Sequence, residues 1–172
     1  MSLVFEPQPA NDQFSNATDI SGTGFTIEGT TFLATREPGE PEPPGANHGP
    51  SVWYRWQAPS SGSVSVRVIN WPSGTIDVFV GSSVADLLLV SKSSQPAFSS
   101  ETGFYAVAGQ VYYLAVSDAS GRPGAFEFTL AASPPFVRLD PTSLAPPING
   151  PFVARLLGVP GQSFGVQVST NL

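Results

Sequence analysis

Glu37, Glu40 and Glu42 crowd into the stretch REPGEPEPPGANHGP (36 to 50), together with His48, the one histidine of the chain. Two catalytic chemistries use such groups. A pair of carboxylates about 5 to 10 Å apart cleaves glycosidic bonds, and a histidine between a nucleophile and a carboxylate activates a serine. Here every candidate lies on one proline-rich loop, which holds geometry less well than a strand or helix does. No P-loop or dinucleotide fingerprint occurs. With no cysteine there is neither a disulfide nor a thiolate zinc site. The expectation is a protein that is not an enzyme.

A third chemistry is oxygen ligation of calcium, which takes six to eight ligands at about 2.3 to 2.6 Å. If FSNATDI (14 to 20) and GFTIEGTTFL (24 to 33) pair as a hairpin across SGTG (21 to 24), Asn11 and Asp12 come beside Leu33 and Ala34. The glutamate loop begins there. Asn11, Asp12, Glu37 and Glu40, with Glu6 and backbone carbonyls, would then form a calcium site. The other reading of the same residues is a solvated acidic loop whose charge Arg36 partly neutralises.

Aromatic residues supply the remaining candidates. In SVWYRW (51 to 56), strand alternation puts Val52, Tyr54 and Trp56 on one face and Trp53 with Arg55 on the other. Trp53, Arg55, Trp71 just before Pro72, and Tyr113 are therefore candidates for an exposed strip that binds an extracellular polymer, protein or polysaccharide. Alternatively, these rings cover a second sheet face, packed under the long loop and the C-terminal tail. Asp77 interrupts TIDVFV (75 to 80); a carboxylate inside a strand is either exposed or held by hydrogen bonds. Its expected role is to tie a neighbouring loop through backbone N–H groups. Asn16-Ala17-Thr18 satisfies the glycosylation sequon, and is read as chance.

The elements that must position these residues are strands. Alternating runs occur at 24 to 33, 51 to 57, 62 to 70, 75 to 81, 87 to 92, 102 to 108, 111 to 117 and 125 to 132, punctuated by turns such as PSSG and SGRPG. No segment carries a sustained 3.6-residue apolar period. The fold class is all-β: a jelly-roll-like antiparallel β-sandwich of these eight strands. Residues 11–132 form the domain, 133–150 a Pro-rich linker, and 151–172 a partial β-module or docked hairpin. The 172 residues suffice for one real core. A formal net charge of −6 argues against binding phosphate backbones or anionic lipid. No apolar run reaches the roughly 18 residues of a membrane helix. Neither nucleic acid nor membrane insertion is expected, and the fragment is expected to be a monomer.

Five stretches, in order, carry a resemblance: NDQFSNAT (11 to 18), ATREPGEP (34 to 41), SVWYRWQAPSSGSVSV (51 to 66), TIDVFVGSSVADLLLV (75 to 90) and AGQVYYLAVSDASGRPGAFEFTL (108 to 130). Together they resemble the bacterial pre-peptidase C-terminal domain and its relatives, the collagen-binding modules of bacterial collagenases among them. In place of the aspartate-rich stretch of those modules, this chain reads GANHGP (45 to 50). The resemblance implies a jelly-roll sandwich, non-catalytic, appended to a secreted or cell-surface bacterial protein. It implies extracellular polymer or parent-protein domains as partners, and calcium as a cofactor.

Overall fold

We describe residues 7–42, 49–71, 73–93, 100–118, 122–133, 138–139 and 156–157 in a computed structural model. The chain divides into two compact units, Met1–Ala132 and Ser133–Leu172. In the first, nine strands make two sheets. They are β1 (Thr18–Ile20), β2 (Phe25–Thr30), β3 (Ser51–Gln57), β4 (Gly62–Ile69), β5 (Gly74–Val80), β6 (Leu88–Lys92), β7 (Ser100–Ala106), β8 (Val111–Asp118) and β9 (Ala125–Ala132). One sheet has the order β1-β3-β8-β5-β6, the other β2-β9-β4-β7. Without β1, each sheet is a four-stranded set that interleaves early and late strands, the double Greek-key arrangement of a jelly roll. Two short 3-10 turns, η1 (Phe14–Asn16) and η2 (Val84–Asp86), are the helical elements among the described residues.

The alternation explains which face each strand buries. On β4, Val64, Val66 and Val68 are buried while Arg67 is exposed, and on β9, Phe126, Phe128 and Leu130 are buried. The register sets Val66 opposite Leu130 and Val68 opposite Phe128, so these side chains form one layer of the core. Val52, Tyr54 and Trp56 of β3 close it from the facing sheet with Ile76, Val78, Leu114 and Val116. Gly29 is needed at its position on β2, because a Cβ there would lie 2.5 Å from both the Phe126 ring and the Tyr54 hydroxyl.

Two expectations need correction. The segments 14 to 20 and 24 to 33 do not form a hairpin: β1 pairs parallel to β3, and β2 pairs antiparallel to β9 in the other sheet. The SGTG turn is therefore a crossover between sheets, with Gly22 and Gly24 at φ 78° and 80°. Trp71 is no surface ring. It is 7% exposed, stacks on Phe126 with centroids 5.7 Å apart, and comes so near Gly124 that a Cβ there would lie 2.6 Å from its Nε1.

In the second unit, β10 (Arg138–Leu139) pairs antiparallel with β11 (Leu156–Leu157). Most of the stretch read as a linker and terminal hairpin lies outside the described residues, as do Glu6 and His48.

Candidate functional site

The outer face of the five-stranded sheet is covered, which β5 records by being buried on both sides. Trp53, Phe79 and Ala115 form a second apolar cluster there with Phe14 of η1 and Leu87 beside η2. Trp53 is 1% exposed, and Phe14 meets it edge-on with centroids 5.4 Å apart. The exposed-strip expectation therefore fails for Trp53 as it does for Trp71, because chain segments without strand periodicity fold over this face.

Asp12 holds that cover in place. It is 3% exposed, and its carboxylate accepts hydrogen bonds from Gln8 Nε2 (2.6 Å), Gln13 Nε2 (2.8 Å), the Thr35 N–H (2.5 Å) and the Thr35 hydroxyl (2.7 Å). Asn11 brackets β3: its carbonyl accepts the Trp53 N–H at 2.8 Å, and its amide donates to the Trp53 carbonyl at 3.0 Å. Glu37 accepts the Phe14 N–H at 2.9 Å. Glu40 accepts the Glu37 N–H at 2.9 Å and the Ser51 hydroxyl at 3.0 Å. Arg36 pairs with Glu42 at 3.1 Å and donates to the Glu40 carbonyl. Burial pushes the Glu40 carboxyl above its ordinary value, against the opposing pull of the Glu37 N–H, the Ser51 hydroxyl, Arg36 and the Trp53 indole.

The structure thus brings Asn11, Asp12, Glu37 and Glu40 to one corner, by a different route from the hairpin. The donor set does not fit a resident calcium ion. Asp12 already accepts four hydrogen bonds, about as many as an ionised carboxylate has lone-pair sites. Among the described residues, no group of three or more histidine, cysteine, aspartate or glutamate side chains is placed to hold a metal ion. The corner is a clasp of carboxylates on N–H and O–H donors. Asp12→Ala should cost about 2–3 kcal/mol, since it removes a buried charged acceptor together with its four hydrogen bonds. It should also open residues 7–14 to limited proteolysis, while Glu42→Ala, at an exposed ion pair, leaves both measures unchanged.

Beside the clasp, the same sheet face carries an open groove of about 580 Å³. Its floor follows from register: Asp19 lies opposite Arg55, and Arg55 opposite Tyr113, so three side chains form one row across β1, β3 and β8. Arg55 Nη1 is 2.7 Å from Asp19 Oδ1. That bond, helped by the Tyr113 hydroxyl, keeps the guanidinium firmly charged. Phe14, packed 4.4 Å from the Tyr113 ring, Glu37, Ser82, Ser83 and Val84 also line it. The η2 part of the lining is held by a capping box. Asp86 accepts the Ser83 N–H at 2.6 Å and the Ser82 hydroxyl at 2.8 Å, and these bonds lower its pKa to about 2.

Of the four predicted binding residues, Arg55 and Tyr113 line this groove. The sequence reading missed Asp19 and the η2 lining. The Ser83-x-x-Asp86 spacing signals the cap at η2, whereas Asp19 is visible only once β1 is known to pair with β3.

The fold and site define a jelly-roll β-sandwich with a charged, aromatic-floored groove on its covered face. Among solved structures, the chain is similar to the pre-peptidase C-terminal domain of a collagenase from Bacillus anthracis. The two are 19% identical, the match spans 74% of this chain and 99% of that one, and the TM-score is 0.47. At that identity and score no residue role passes from one chain to the other. No protein-family profile and no curated protein matches the chain.

Proposed function

We propose that residues 11–132 are a non-catalytic accessory module of a secreted or cell-surface bacterial protein, and that the groove holds an extended segment of extracellular polypeptide. The observation that carries this reading is the Asp19–Arg55–Tyr113 row on the floor of a groove of about 580 Å³. An ion pair, an amphipathic ring and the Glu37 carboxylate suit backbone amides and charged side chains. A polysaccharide platform needs broad exposed rings, and Trp53 and Trp71 are buried. A plain spacer needs no groove.

Co-sedimentation with insoluble collagen, and separately with chitin and cellulose, tests the reading. The protein should leave solution with the polypeptide. Arg55→Ala and Tyr113→Ala should each weaken binding about tenfold, or about 1.4 kcal/mol, with melting temperatures little changed. Depletion by the polysaccharides alone, or binding indifferent to both substitutions, would refute it. The clasp reading also predicts that millimolar calcium leaves the melting temperature as it is in chelator, since an ion that binds only the native state would raise it.

A further inference from the structure

Beneath the loop that carries Glu40 and Pro41, the sheet bears a small, partly open cavity of about 10 Å³, separate from the groove. Its lining includes Ser51 and Trp53 of β3, Asp77 of β5 and Ser117 of β8. The Trp53 indole N–H is buried here and makes no hydrogen bond. It lies near enough to Glu40 to favour that carboxylate, yet without the geometry of a direct bond.

The lining selects its occupant. An indole N–H can only donate, and an ionised carboxylate can only accept. A metal or ammonium ion offers the indole no acceptor, and an anion would be repelled by Glu40 and Asp77. A molecule that satisfies both kinds of group needs an acceptor lone pair and donor hydrogens, and must fit a space of single-water size. We propose that this cavity is an internal water site, in which one water accepts the Trp53 indole N–H and donates to Glu40, joining the loop to the sheet. Asp77, 4% exposed and already accepting the Ser93 N–H at 3.3 Å, is placed as the acceptor for the second water hydrogen. The water thus adds a second tie between loop and sheet beside the direct Ser51–Glu40 hydrogen bond.

The wild-type protein tests this. Trp53, Trp56 and Trp71 give three indole N–H signals in nitrogen-15 spectra, and the Trp53 signal is assigned by its loss in Trp53→Phe. That signal should show a cross-peak to a long-lived water, which Glu40→Ala weakens by letting the site exchange with solvent. A high-resolution crystal structure should place one water within hydrogen-bonding distance of Trp53 Nε1 and Glu40. A direct indole–Glu40 hydrogen bond over a dry cavity would overturn the proposal, as would an ion in the cavity or a cross-peak indifferent to Glu40→Ala.

Discussion

Trp53→Ala is expected to destabilise the domain by about 3–5 kcal/mol, the usual cost of removing a fully buried large aromatic side chain. Phe14, Phe79 and Ala115 surround the ring, and the loop that bears Glu40 closes over its edge. Its loss leaves a void that the backbone cannot fill, because the Trp53 peptide is pinned to Asn11 on both its N–H and its C=O. Arg55→Ala, two residues along on the same strand face, should cost little, since its pair with Asp19 is solvent-exposed. Urea unfolding of the two variants makes the comparison. A loss below 1 kcal/mol for Trp53→Ala would mean that the ring is a surface platform after all.

The second large effect is expected at Asp77. Burial raises its pKa from 3.8 to about 6, against the Ser93 N–H and the charge of Lys92, its register partner on β6. The folded state therefore holds the Asp77 proton more tightly than the unfolded state does. The resulting stabilisation is complete below about 3.8 and is lost as pH rises through about 6. Asp77→Asn keeps an acceptor for the Ser93 N–H and has no charge to bury. Its stability should match that of the wild type near pH 3.5 and exceed it by roughly 2–3 kcal/mol at pH 8. Urea midpoints measured across that range test the sign. A gap that does not change with pH, or that widens towards acid, would contradict it.

The period-two alternation of β2 to β9 follows from a local requirement, that a strand in a two-layer sandwich keep one face apolar, and a local requirement is legible in sequence. It separated Val52, Tyr54 and Trp56 from Trp53 and Arg55 correctly. The role expected of Asp77, tying a neighbouring loop through a backbone N–H, matches its bond from Ser93. What lies over the other face is not a local property. Trp53 and Arg55 share a strand face and the same alternation, yet one is buried and the other lines a groove, because Phe14 and Leu87 arrive from segments without periodicity.

The three residues of β1 are too few to show alternation, and their parallel partner is far along the chain, so no turn announces the pairing. The hairpin argument nonetheless brought Asp12 near the glutamate loop. Both segments are templated by β3, where the Trp53 N–H bonds to Asn11 and the Ser51 N–H to Thr35. By itself the sequence determined which strand residues face the core, but not that Trp71, past the end of β4, joins them. Only the tertiary structure decided which outward residues are covered, since burial depends on what packs against a surface from elsewhere in the chain.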